Sequence, residues 1–179
     1  MALALAGCAG PPLSTYTLSL PPSQAAEAPL GQAPKVIAVS RVVLQSDMDG
    51  TDMILRDGSV LRRSLTGRWG SRLSVGMTDR LTERLAARYP RAVVTTTPLT
   101  DAPTVSIRVT VGRFDIDTAG NAVLEAAWLI VPANPKLPVR QDRIRITLQA
   151  PVATDQDVVD VTGALVDRLA ARIDPGPLQ

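Results

Sequence analysis

The chain has 179 residues, a formal net charge of +2, a single cysteine and no histidine. Those counts exclude Zn²⁺ or Cu²⁺ sites, Ser-His-Asp and Cys-His catalysis, and any intramolecular disulfide. Apolar residues make up 45% but aromatics only 3%, so a core has to be built from Val, Leu, Ile and Ala, and no uncharged apolar run reaches the ~18 residues of a membrane-spanning helix.

The N-terminus carries Leu5-Ala6-Gly7-Cys8. Small residues ahead of a cysteine are what bacterial lipoprotein processing reads, leaving the cysteine as a new N-terminus with a thioether-linked diacylglycerol. Cys8 is the expected lipidation site. A complete signal has a basic n-region and an apolar stretch of about 7–15 residues; here only Met1 to Gly7 precede the cysteine, with no Lys or Arg. Residues 1–8 therefore read as a truncated signal, and a start upstream of Met1 is expected.

Residues 9–34 are dominated by Pro, Ala, Ser and Gly, with Pro-Pro pairs at Pro11 and Pro21. Such a segment buries too little apolar surface to offset its ordering entropy and reads as a semi-extended tether. Tyr16 to Leu20 is the exception, a short β-prone run that predicts an edge strand laid on the domain. The globular part is expected over 35–174, with a tail at 175–179. Val36 to Val39 and Val42 to Leu44 are apolar with few interruptions, as suits an interior strand. Met53 to Arg56 and Val60 to Arg62 flank Asp57-Gly58, a pair that favours a type I′ hairpin turn.

Trp69, Leu73, Met77, Leu81, Leu85 and Tyr89 recur every fourth residue, which predicts an amphipathic helix opening at Trp69 and stopped by Pro90. Arg80, Arg84 and Arg88 form a second row on its surface. Ala92 to Thr97 predicts a short strand. Val105, Ile107, Val109 and Val111 then alternate with polar residues, and the apolar parity shifts at Phe114 and Ile116, which places a β-bulge near Gly112. A turn over Asp117 to Asn121 leads to a central strand from Val123 to Val131, and a last strand with Ile144, Ile146 and Leu148 has one wet face. Thr154 and Asp157 have capping-box spacing ahead of a helix whose core side is Val158, Val161, Leu165, Leu169 and Ile173. The order predicts a single-domain α+β fold, one mostly antiparallel sheet with two helices packed on one face.

Chemistry is sparse. Asp47, Asp49 and Asp52 cluster around Gly50, and Asp115 and Asp117 precede Gly120 and Glu125, but the second set places Ala119 and Ala126 where a calcium loop needs oxygen ligands. Both read as polar turns. No catalytic, metal or cofactor residue is expected, and the chain is not read as an enzyme. The small charge and the single phenylalanine, Phe114, do not suit nucleic acid. Arg62, Arg63, Arg68 and Arg72 lie close together, as do Arg140, Arg143 and Arg145; they read as solvated arginines, with a patch toward anionic head groups as the alternative.

In order and spacing the chain resembles the ABC-type transport auxiliary lipoprotein family, the PqiC-like proteins that accompany MCE (mammalian cell entry) transport systems. The features that carry the resemblance are the lipobox ending at Cys8, the Tyr16-Thr17-Leu18 element, the strand around Val36 to Leu44, Arg68-Trp69 with Leu73 at the family's spacing, Val105 to Phe114, the Gly120 turn, Trp128, and Ala164-Leu165 in the terminal helix. Gln45 to Asp52 departs from the family's Pro-rich segment after the first strand. The resemblance implies a non-enzymatic subunit without cofactor, lipid-anchored on the periplasmic face of the outer membrane. Its implied partners are an MCE-domain protein and, through it, an ABC permease and ATPase that move lipids or other hydrophobic molecules between the membranes. A homo-oligomer stays open. Ala9 after the cysteine, in place of Asp, fits outer-membrane sorting. Two other readings remain: a stand-alone periplasmic lipid carrier with a cavity lined by Leu124, Trp128 and Ile130, or a structural outer-membrane biogenesis lipoprotein. For docking, Gly50 to Asp57 and Pro132 to Pro138 are the candidate contact loops.

Overall fold

A computed structural model describes residues 12–19, 35–97 and 102–176. Cys8, the rest of the expected tether and the end of the tail lie outside the described residues. The elements run β1 (Ser14–Tyr16), β2 (Lys35–Val39), β3 (Asp52–Asp57), β4 (Val60–Trp69), α1 (Leu73–Arg88), β5 (Ala92–Thr95), β6 (Val105–Ile116), β7 (Asn121–Pro132), β8 (Arg140–Gln149) and α2 (Asp155–Arg172). The α+β class and the single domain are as expected. The strands, however, form two mixed sheets, β1-β4-β3 and β5-β2-β6-β7-β8.

The split follows from β2. It is hydrogen-bonded on both sides, parallel to β5 and to β6, so it offers no edge to the β3–β4 hairpin. Helix α1 lies between β2 and β5 in the chain, and a crossover of that kind returns the next strand parallel. Within the large sheet only β6, β7 and β8 follow the antiparallel pattern expected from alternation. The hairpin instead takes β1 as a parallel third strand, with Ser14 opposite Gly67 and Tyr16 opposite Trp69. An edge strand is present, but over Ser14–Tyr16 and not over the expected Tyr16 to Leu20; just beyond it Leu18 is a core residue, 2% exposed and seated over Gly76 of α1.

One face of the large sheet carries Val105, Ile107, Val109 and Val111 from β6 and Leu124, Trp128 and Ile130 from β7, all buried. Against it pack Leu81 and Leu85 of α1 and Leu165, Leu169 and Ile173 of α2. The bulge expected near Gly112 is there, a register shift between Val111 and Arg113. The capping box of α2 is complete: the Asp157 amide donates to Thr154 Oγ1 and the Thr154 amide donates to Asp157 Oδ2.

Three local expectations are corrected. Trp69 does not open α1; it ends β4, its amide donating to Thr51 O, and Gly70 to Arg72 separate it from the helix. The four-residue spacing extends one turn too far because Trp69 is buried in the same core by a strand. The hairpin turn is Gly58-Ser59, since Asp57 pairs with Val60. Only Gly58 has a positive φ, +59°, the pattern of a type II′ turn and not of the type I′ expected at Asp57-Gly58. Finally, Val43 is 59% exposed and makes an isolated bridge to Thr110, so the strand that begins at Lys35 stops at Val39.

Candidate docking surface

The acidic clusters are structural. Asp49 caps α1 from outside the helix: its Oδ1 accepts from the Ser74 amide at 3.0 Å and its Oδ2 from Arg72 Nε at 3.2 Å. Burial raises the Asp49 pKa, but the Ser74 amide and Arg72 outweigh it and the carboxyl sits below its ordinary value. Asp52 pairs with Arg63 and Arg68, and Asp115 with Arg56 and Arg113. Asp117 is held low by Asn121, which donates to it through both side chain and amide. Among the described residues no group of three or more Cys, Asp or Glu is arranged to hold a metal ion.

Of the row Arg80, Arg84, Arg88, Arg80 is largely buried and the other two are partly exposed. The row faces α2, where Asp167 receives Arg80 at 2.7 and 2.8 Å and Arg84 at 2.8 and 2.6 Å, and Arg88 donates to Ala171 O. Arg80 also reaches Leu18 O at 3.1 Å, tying the N-terminal segment to both helices. The guanidinium lies across Gly163, where a Cβ would stand 2.8 Å from Arg80 Cζ. Burial pushes the Asp167 pKa up, and the paired guanidiniums bring it below the ordinary carboxylate value. This clamp escaped sequence reading because Asp167 is more than 80 positions from its partners.

Leu124, Trp128 and Ile130, the lining expected of a carrier, are 0%, 5% and 3% exposed within the one core. Surface recesses do exist. One of about 450 Å³ lies between the β3–β4 hairpin and the start of α2, bounded by Leu55, Arg62, Ser64, Thr118 and Thr154. Another of about 540 Å³ lies on the open face of the large sheet, with Ala127, Ile144, Glu125 and Arg145 around it. Leu124, Trp128 and Ile130 line neither.

Of the eight large exposed apolar side chains among the described residues, six gather toward two ends: Leu13, Val60, Leu61 and Leu65 at one, Leu137 and Val139 at the other. At one end are the hairpin, the β6–β7 turn and the start of α2, joined by Thr118 N to Arg56 O and by Thr66 Oγ1 to Asp155 Oδ2. At the other end are the β7–β8 loop and the finish of α2, joined by Arg140 to Asp174 O. The 18 residues of α2 separate the ends by about 27 Å at ~1.5 Å per residue. Of the two loops expected to make contacts, Pro132 to Pro138 is largely exposed at the second end, and Leu137 and Val139 are 39% and 57% exposed. Gly50 to Asp57 is no free loop. It is mostly β3, with Met53 in the core and the Gly50 and Thr51 carbonyls bonded to Leu73 and Trp69.

Leu124, Trp128 and Ile130 are packed in the core, the clustered aspartates Asp49, Asp52 and Asp115 are engaged in a cap and in ion pairs, and exposed apolar groups lie toward the two ends of the domain. The sequence comparison names its kind: residues 16–174 match the sequence model of the ABC-type transport auxiliary lipoprotein component family, and the chain belongs to that family. The family is one of auxiliary components and not of enzymes, and membership makes this chain an auxiliary lipoprotein of an ABC-type transport system. Comparison with curated proteins gives no match. Among solved structures, an uncharacterized protein aligns over 89% of this chain and 95% of its own at 18% identity and a TM-score of 0.72. A protein from Xanthomonas campestris assigned to the DUF330 family aligns over 88% and 90% at 13% identity and a TM-score of 0.60. Both likenesses show the fold.

Proposed function

We propose that this chain is held at the periplasmic face of the outer membrane by lipid on Cys8, tethered through the residues between Cys8 and β1. From there it docks an MCE-domain protein and so joins an inner-membrane permease and ATPase that move lipids or other hydrophobic molecules between the membranes. The observation that carries this reading is the layout of the domain. β1 runs parallel to β4 beside Gly67, so the described residues ahead of it, Pro12 and Leu13, lie toward the start of β4, at the hairpin end. The exposed Pro132 to Pro138 loop lies about 27 Å away at the opposite end. An auxiliary subunit that joins a membrane to a transport complex needs those two attachments apart. The contact at the loop end rests on Leu137, Val139 and the cation of Lys136.

Detergent extraction of the full chain from native envelopes, followed by native mass spectrometry, tests the proposal. A complex with an MCE-domain protein, lost on Leu137→Asp, is expected, and the same spectra give the number of copies in any homo-oligomer. A monomer carrying lipid and no partner would overturn docking in favour of a carrier.

A further inference from the structure

Leu65 is 85% exposed, and Leu13, Val60 and Leu61 are 59%, 53% and 36% exposed. A lone exposed leucine needs no explanation. These four, however, are half of the eight large apolar side chains exposed to this degree among the described residues, and they lie on one hairpin and on the strand paired with it. Leu65 is also held out by construction. It sits in an insertion within β4, where Asp52 pairs with Arg68 but Ile54 pairs with Arg63. Ser64 Oγ accepts from the Thr66 and Gly67 amides at 3.1 and 2.9 Å. Arg68 donates to the carbonyls of Ser64 and Gly67, and Thr66 Oγ1 donates to Asp155 at 2.7 Å. A loop tied at five points cannot fold its leucine back into the domain.

We infer that the β3–β4 hairpin with its Ser64–Gly67 loop is a membrane-contact surface, seated in the phospholipid interface to which Cys8 tethers the chain; the inference rests on the anchoring reading above. Covalent geometry selects the occupant. Ser14 is opposite Gly67 and Cys8 precedes it by six positions, so the lipid-bearing sulfur can be no farther than about 30 Å from the Leu65 loop even if the link is fully extended. Because β1 is parallel to β4, Leu13 ahead of Ser14 lies on the side of Val60 and Leu61. A tether this short keeps the local concentration of bilayer high at this face, so a modest apolar contact is populated. The charge is nearly balanced: four arginines (Arg62, Arg63, Arg68, Arg72) against three aspartates (Asp49, Asp52, Asp57) leave +1. The contact is therefore insertion of leucine and valine with guanidiniums at head-group depth, and it needs no acidic lipid.

The test uses the full lipidated chain in vesicles of phosphatidylethanolamine and phosphatidylglycerol that contain a nitroxide-bearing lipid. Lipidation occupies the Cys8 sulfur, so Leu65→Cys or Lys136→Cys supplies one labelling site for an environment-sensitive fluorophore. Quenching at the first position should exceed that at the second by about threefold or more, with little change in high salt. Leu65→Asp should leave the chain floating with vesicles while removing the slowing of hydrogen exchange over Val60–Thr66. Equal quenching, or none, in a chain that floats would overturn the inference and leave the anchor standing. Loss of self-assembly on Leu65→Asp without change at the lipid would make the patch a protein interface and also overturn it. An unmodified Cys8 mass with no flotation would overturn the anchoring reading and this inference with it.

Discussion

Arginine meets aspartate in two regions of this molecule. Between α1 and α2, Asp167 receives both Arg80 and Arg84, and the Arg80 and Asp167 side chains are only 14% and 28% exposed. Across the β3–β4 hairpin, Arg62 pairs with Asp57 and Arg63 with Asp52, and the two arginines are 63% and 68% exposed. Water screens the second pairs and leaves them almost free to exchange, whereas removal of Asp167 strands two guanidiniums against a helix. The same contrast holds for apolar groups, since Leu81 and Leu165 are fully buried in the clamp region and Leu65 stands in solvent. The helical layer is where the chain holds itself together. The hairpin shows Leu65, Val60 and Leu61 to solvent.

The sharpest way to break this contrast is to shorten leucines. Leu165→Ala should destabilise by about 3 kcal/mol in chemical denaturation through lost burial and a residual cavity, while Leu65→Ala should change stability by less than about 0.5 kcal/mol. The ion pairs come next: Asp167→Ala should cost about 2 kcal/mol, reduced from a fully buried case by partial exposure, and Asp57→Ala less than about 0.5 kcal/mol. Equal losses would mean that the clamp contributes no more than a surface pair. Gly163→Ala ranks third. Alanine favours helix by ~1 kcal/mol over glycine, yet its Cβ would collide with an Arg80 that is fixed at both carboxylate oxygens. A net loss of about 1 kcal/mol in thermal unfolding is expected.

The smallest effect is a pH dependence. The folded pKa of Asp167 lies below its ordinary 3.8, so its contribution is fully present above that value and is lost as pH falls through the lower folded pKa. Asp167→Asn should flatten the acid limb of the stability curve below about pH 4.

Much of this was legible from local pattern. Alternation located β6 and β7, the parity change at Phe114 located the bulge, and Thr154 with Asp157 located the start of α2. The failures have one form. Trp69 fits the four-residue spacing of α1 and belongs to a strand, and Gly50 to Asp57 looks like an exposed loop and is largely paired. In each case backbone pairing, of Trp69 with Thr51 and of β3 with β4, overrides the local signal.

The sequence by itself determined the kinds of element, their order, the aliphatic core and the family, because periodicity, caps and turn residues act over a few positions. The tertiary structure decided that the strands divide into two sheets, that the arginines of α1 clamp Asp167, and that the N-terminal segment enters beside Leu65. These depend on which edges and faces meet across tens of residues, and the free energy of such meetings comes from burial and pairing between segments that carry no local trace of one another.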